Sequence, residues 1–324
     1  IINKINMSSV IVNPLTANTM NAVMCGLMSF GLLFTPQKFM QGGKYQKPWL
    51  NNLPPERDNR LYFLGQFMGF LMLGGCVVPT LLSPSSQFLC YQMLLIHGVN
   101  IVHTLIFLFT DAYKEAVPTT LTSKSQWYFM TTLSLAFFVV TLLASLHSTP
   151  NVVDSRETYI SKWVANTVML SFTSVFGVLF LVLPRLLLSF FWSDDHEQQE
   201  QQEQQEQQNP MNLEQKQEPV ANVQTVMGFK LLNMTDNERW WSRCLGTTIL
   251  CLNLGVALDA NIHQPLFTAG SLVTLSTLTL FNFHQVVMRP YKSISNRHIL
   301  LTWVPNIIMC GVVIGVLVSA VLYV

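Results

Sequence analysis

The sequence has few charged residues. Asp, Glu, Lys and Arg together make up 11% of its 324 residues, whereas a soluble globular protein typically has about 25%. Half of the residues are hydrophobic and the mean hydropathy is +0.36. This composition excludes an ordinary soluble domain and predicts an integral membrane protein that has the lipid bilayer as its main partner.

The sequence also lacks the patterns that mark common catalytic and nucleotide-binding sites. It shows no Ser-His-Asp grouping, phosphate loop, zinc-protease helix motif or basic nucleic-acid patch. Its six cysteines show no CxxC spacing, so we expect buried thiols that pack as small apolar groups. A non-enzymatic protein is favoured over an enzyme, and no nucleic-acid partner is expected.

Long apolar runs are the main feature that is present. A helix needs roughly 20 apolar residues to cross the hydrocarbon layer, and in lipid a helix satisfies its own backbone hydrogen bonds. We therefore predict an all-α integral membrane protein with eight transmembrane helices. The eight runs lie at about 17–35, 61–82, 88–110, 127–147, 163–184, 241–260, 266–288 and 299–322.

The basic residues predict the orientation. With eight spans in series, most Lys and Arg residues fall in the loops of one face, and the other face has only Lys4, Arg156 and Lys162. Basic residues are retained on the cytoplasmic side during insertion. We expect both termini on the non-cytoplasmic side of a multi-pass protein. No cleavable signal-peptide pattern opens the chain, so the first span is expected to act as an uncleaved anchor.

Two segments of the chain share a register. Residues 17–36 and 165–184 both open with Ala-Asn-Thr and both end on Pro, 148 positions apart. A second set of matches follows at an offset of 181 and includes Gly65/Gly246, Gly74/Gly255, Pro84/Pro265 and His103/His284. The sequence therefore predicts a tandem repeat of a four-helix unit.

The two offsets differ because of an insertion between the fifth and sixth spans. A Gln/Glu-rich low-complexity tract at about 193–220 accounts for the extra length. We predict a first four-helix repeat over 1–150 and a second over 151–324. Four spans per unit give both copies the same orientation, which predicts a parallel 4+4 bundle.

One polar cluster lies in the third span. His97, Asn100 and Thr104 have i, i+3 and i+7 spacing and so share a helix face, whereas His103 is predicted to point elsewhere. Together with Asn253 and Asn282, this cluster is a candidate ligand site between the halves. The alternative is that these side chains only make hydrogen bonds between helices.

Three functions remain open. The favoured one is a non-enzymatic membrane interaction or assembly component that binds other membrane proteins through the acidic Gln-rich loop, which is predicted to be cytoplasmic. The first alternative is a small-molecule or lipid transporter with its site between the repeats. The second is a haem protein with His103 and His284 as axial ligands; otherwise no cofactor is expected.

Overall fold

The structure is a computed structural model, and it describes most of the hydrophobic part of the chain. The described residues are 12–41, 50, 59–117, 121–146, 158–192, 225–226, 229–258, 265–288 and 296–322. The Gln/Glu-rich tract predicted at about 193–220 lies outside them. Within the described residues the chain is mostly helical.

The first half contains four long helical segments, with short helices beside them. The third helix continues into the fourth through a π-helical turn, Leu73–Val77, and a short 3₁₀ helix, Asp111–Tyr113, follows the fifth. The α-helices are α1 (Pro14–Phe34), α2 (Pro36–Gln41), α3 (Asn59–Met72), α4 (Val78–Leu82), α5 (Gln87–Phe109) and α6 (Leu121–Ser145).

The second half repeats the long–short–long order of the first three helices, with a small antiparallel hairpin before its second long helix. The hairpin pairs β1 (Thr225–Val226) with β2 (Phe229–Lys230). The last two α-helices are joined by a π-helical turn, Ile299–Trp303. The α-helices are α7 (Lys162–Val182), α8 (Pro184–Ser189), α9 (Asp236–Leu258), α10 (Pro265–Met288), α11 (Asn296–His298) and α12 (Val304–Ser319).

The starts of α1 and α7 are capped in the same way. The Asn13 side chain accepts a hydrogen bond from the Thr16 backbone N–H at 2.9 Å, and Ser161 accepts one from Val164 at 3.3 Å. Such caps satisfy N–H groups that have no partner in the first turn of a helix. The first and last residues of α7 lie 148 positions after those of α1, and the same is true of α8 relative to α2.

Within the described part of the chain, seven helices are long and apolar enough to cross a membrane, which supports an integral multi-pass membrane protein. The sixth predicted span, 241–260, corresponds to α9, which is not among the seven. Charged side chains lie in its first eight residues, at Asp236, Glu238, Arg239 and Arg243. At 1.5 Å per residue its 23 residues extend about 34 Å. Eight spans therefore remain a prediction that depends on α9.

The helices pack in corresponding pairs. Within the halves, α1 packs on α3 and α7 packs on α9, while α5 packs on α6 and α10 packs on α12. Between the halves, α9 packs on α5, the π-helical turn after α3 packs on α10, and α3 packs on α9. The two second helices, α3 and α9, therefore lie at the centre of the bundle.

Matched glycines allow the helices to approach closely. A Cβ on Gly246 would lie 2.6 Å from the Gly177 carbonyl oxygen, so α9 and α7 are in backbone contact. A Cβ on Gly74 would lie 2.7 Å from the Gly270 carbonyl oxygen, and one on Gly255 would lie 3.1 Å from Gln92. Small residues at such crossings are typical of helix packing in membranes.

An ion pair is buried where α3 and α9 begin. Arg60 Nε lies 2.6 Å from Glu238 Oε1, and neither residue is more than 8% exposed. Glu238 also accepts a hydrogen bond from the Thr235 backbone N–H at 2.8 Å, while the Thr235 hydroxyl accepts one from the Glu238 N–H at 3.3 Å. This reciprocal pattern is a capping box, and it fixes the carboxylate at the helix start.

Candidate functional site

A cavity of about 310 Å³ lies in the first half of the bundle. We call it the first-half cavity. Its walls come from α1, α2, α3, α5 and α6, and α9 of the second half closes one side. Lining residues occur along α5 from Met93 to Thr104, a rise of about 16 Å at 1.5 Å per residue. The space is therefore elongated along the helices.

Ten of the described side chains in this lining contain sulfur. Of the 15 methionines in the chain, the cavity is lined by Met24, Met28, Met40, Met68, Met72, Met93 and Met130, together with Cys25, Cys76 and Cys244. Methionine is flexible and polarisable, so it adapts to irregular apolar surfaces. No Asp, Glu, Lys or Arg is among the described lining residues.

The predicted polar stripe faces this cavity. His97, Asn100 and Thr104 all line it, as their spacing on one face of α5 implies. His103 lines it as well, but from the side of α5 that faces α9 rather than from the side where His97 contacts Asn21. The cavity therefore extends around α5 to α9.

A buried hydrogen-bonded chain connects three helices at the cavity wall. His97 Nε2 lies 2.8 Å from Asn21 Oδ1, and Asn21 Nδ2 donates to the Thr141 hydroxyl at 3.1 Å. All three residues are at most 1% exposed. Because the Asn21 amide nitrogen donates to Thr141, its carbonyl oxygen accepts from His97, which places the proton of a neutral His97 on Nε2.

The two histidines predicted as haem ligands have different surroundings. His103 Nδ1 lies 3.5 Å from Cys244 Sγ, and His103 Nε2 lies 3.4 Å from the Thr247 hydroxyl. His284 is exposed at the surface of α10. The contacts of His103 are therefore with α9. None of the cavities described here contains both histidines, so a haem held by both stays a prediction.

A smaller cavity of about 70 Å³ lies in the second half. We call it the second-half cavity. Aromatic side chains fill much of the space between α7, α10 and α12, and α3 of the first half closes one side. Its lining includes Phe63, Phe67, Phe172, Phe176 and Phe180.

The two cavities are lined at the same register positions. Under the offsets of 148 and 181, Met24 and Met28 correspond to Phe172 and Phe176, and Cys244 corresponds to Phe63. The other matched pairs are Cys25/Thr173, Leu32/Phe180, Met40/Leu188, Met68/Ile249, Met93/Thr274, His97/Leu278, Thr248/Phe67 and Leu252/Leu71. The same framework therefore surrounds an open space in one half and a nearly filled one in the other.

The remaining predicted residues lie apart from the first-half cavity. Asn253 donates to Ser174 at 2.8 Å and accepts from Thr173 at 3.1 Å, beside a space of about 40 Å³ between the halves. Asn282 lines the second-half cavity, and its buried Oδ1 has no hydrogen-bond partner among the described groups. The five predicted ligand-binding residues thus occupy three separate places.

The methionine lining is the feature that sequence reasoning missed. Its members come from five helices and from no single periodic pattern, so only the helix packing brings them together. Met24 and Met28 have i, i+4 spacing, which was a usable signal on one helix. Their replacement by Phe172 and Phe176 in the second segment was visible in the aligned register.

Comparisons with known proteins give no relative: no family model, no curated protein and no solved structure matches this chain.

Proposed function

We propose that the chain consists of two copies of one four-helix unit, oriented alike in the membrane, and that the first copy binds a neutral apolar small molecule. The observation that carries this proposal is the pair of cavities lined at matched positions, with methionine in the first half where the second has phenylalanine. One copy keeps its cavity open, whereas the other fills it.

The duplication is supported by features beyond the sequence register. The bounds of α1 and α7 coincide under the offset of 148. The helix contacts also recur in reciprocal form, since α9 packs on α5 and the turn after α3 packs on α10. An unrelated pair of four-helix units would have no reason to match in helix ends, cavity walls and contacts together.

The size and chemistry of the first-half cavity support ligand binding. Its volume of about 310 Å³ reaches the lower end of the roughly 300–1,000 Å³ found for small-molecule sites, which are mostly apolar with a few placed polar groups. His97, Asn100 and Thr104 supply such groups on one wall. The lining has no described charged side chain, which favours an uncharged ligand with a single hydrogen-bonding end.

The elongated shape favours a single-chain lipid or a similar molecule. The sequence predicts a transporter with its site between the halves. We place that site in the first-half cavity instead, where α9 forms the wall contributed by the second half. An interaction or assembly role through the acidic tract at 193–220 stays a second prediction, because those residues lie outside the described part of the chain.

Photolabelling tests the proposal. The purified chain in detergent is incubated with an alkyne-tagged fatty alcohol that carries a diazirine, irradiated, and mapped by mass spectrometry. We expect adducts on α1, α3, α5 and α6, and a loss of labelling of at least tenfold when Met24 and Met28 are both changed to Phe, the residues found at the matched positions.

Met20→Phe is the control, because Met20 lies on α1 but is 40% exposed. Equal labelling of both variants, or adducts spread over the second half, would overturn the proposal.

A further inference from the structure

Two cysteines and a methionine meet at one end of the first-half cavity. Cys25 on α1, Cys76 in the π-helical turn and Met93 on α5 form one buried cluster, and each is at most 5% exposed. Both thiols are free. Three sulfur-containing side chains from three segments therefore belong to one buried cluster, and all three also line the first-half cavity.

More sulfur lies next to this cluster. Met24 and Met72 pack against it and also line the cavity. Within the described residues, no group of three or more His, Cys, Asp or Glu side chains could hold a metal ion, so any third protein ligand here would be a thioether. Zinc sites use thiolate, imidazole and carboxylate ligands, whereas soft thiolate and thioether ligands suit Cu(I).

The backbone at Cys76 is unusual. Cys76 lies in the π-helical turn Leu73–Val77, and such turns often occur at functional sites. The matched positions in the second half carry Thr173, Ala257 and Thr274. The three-sulfur arrangement therefore belongs to the first half alone, although the surrounding framework is shared.

We infer that Cys25, Cys76 and Met93 form a binding site for a monovalent soft metal ion, Cu(I). Binding of one Cu(I) releases both thiol protons to bulk solvent, which leaves two thiolates on the metal and a net charge of −1 on the site, and the Met93 thioether completes the set of sulfur ligands without losing a proton. No change of oxidation state is needed. This inference does not depend on the proposed apolar ligand, since the metal site lies in the wall and the apolar molecule would occupy the space.

The test is Cu(I) binding to the full chain in detergent, with bathocuproine disulfonate as the competing chelator and under anaerobic, reducing conditions. We expect about one equivalent of Cu(I) per chain in the unaltered protein. Cys25→Thr and Cys76→Ala introduce the residues found at the matched second-half positions, and each should reduce bound copper at least tenfold. Cys310→Ser is the control, because Cys310 is a buried thiol that lines the second-half cavity. It should leave binding unchanged.

A measurement on the unaltered protein removes any dependence on how the variants fold. X-ray absorption at the copper edge should show a first shell of sulfur only. A shell containing nitrogen or oxygen, binding below 0.1 equivalent, or equal binding in all variants would each overturn the inference. Photolabelling of Cys25→Thr by the fatty alcohol should persist, so a failure of the metal site and a failure of the apolar site are distinguishable.

Discussion

Arg60 and Glu238 join the two halves of the bundle through a buried ion pair. Their nearest charged atoms, Nε and Oε1, lie 2.6 Å apart, where α3 and α9 begin side by side. The Glu238 side chain is fully buried. Removing one member of a buried ion pair leaves the other charge without compensation. The resulting loss of stability is larger than the stability that the intact pair adds over a pair of apolar side chains.

Glu238→Gln is therefore expected to be strongly destabilising. The neutral amide still caps the helix start but removes the charge-assisted contact with the buried Arg60 guanidinium, at a cost of about 1.5–3 kcal/mol. The measurement is the free energy of unfolding from denaturant titration in detergent. Arg239→Gln is the matched control: Arg239 pairs with Asp236 at 3.0 Å but its side chain is 41% exposed, so about 0–1 kcal/mol is expected. Similar losses in both variants would contradict the account.

The glycines on the central helices should respond differently to alanine. In Gly246→Ala, the new methyl group would lie 2.6 Å from backbone atoms of Gly177 and Leu181, which cannot move without separating α9 from α7. We expect a loss of about 1–3 kcal/mol or more. At the matched Gly65, the obstacle is the end of the flexible Met40 side chain. Gly65→Ala should cost less than about 1 kcal/mol.

Thermal unfolding followed by tryptophan fluorescence compares the two glycine variants. Gly311→Ala provides a baseline, because its Cβ would have no described neighbour within 4 Å. An equal fall in melting temperature for Gly65→Ala and Gly246→Ala would show that α9 and α7 do not meet through their backbones.

The hydrogen bond between His97 and Asn21 can be tested by introducing the residues found at the matched positions of the second half. The matched positions carry Leu278 and Met169. His97→Leu alone should cost about 1–3 kcal/mol, because it leaves a buried acceptor on Asn21 unsatisfied. The double change His97→Leu with Asn21→Met removes both partners and should recover part of that loss. A double variant whose loss equals the sum of the two single losses would contradict the coupling.

Enlarging the second-half cavity should create a second binding site for the probe. Phe172→Met with Phe176→Met gives the second half the residues of the first at two wall positions. We expect the fatty-alcohol probe to form new adducts on α7 and α10, while labelling of the first half stays within twofold. Phe190→Met, which changes an aromatic residue outside the cavity lining, should produce no new adducts. A second half that stays unlabelled after this change would argue that other groups define the site.

The sequence predicted the membrane class and the residues of the polar stripe, because hydropathy and helical spacing are local properties. The angle of His103 around α5 predicts that it points away from the His97 side of the helix, but an angle on one helix does not tell how far a cavity extends around it. The Arg60–Glu238 pair was also missed. Its two members are 178 positions apart, and only the packing of α3 on α9 brings them together.

Other features were recoverable from sequence only in part. Asn253, Asn282 and His97 are all polar residues in apolar helices, which is why the sequence predicts one site for them. In the structure each of the three contacts different neighbours. The register between the halves was visible from a few residues. Its consequence, one open and one filled cavity, required the side chains of several helices in three dimensions.

The 4+4 arrangement requires that α9 crosses the membrane as the second helix of the second copy. Single cysteines at Lys230 and Asn261, before and after α9, are introduced into a cysteine-free chain and labelled in intact cells with a membrane-impermeant maleimide. The account predicts that the two sites lie on opposite faces, with Asn261→Cys labelled from outside and Lys230→Cys labelled only after permeabilisation. Labelling of both sites from the same side would leave α9 as a helix that does not span, and would contradict the 4+4 arrangement.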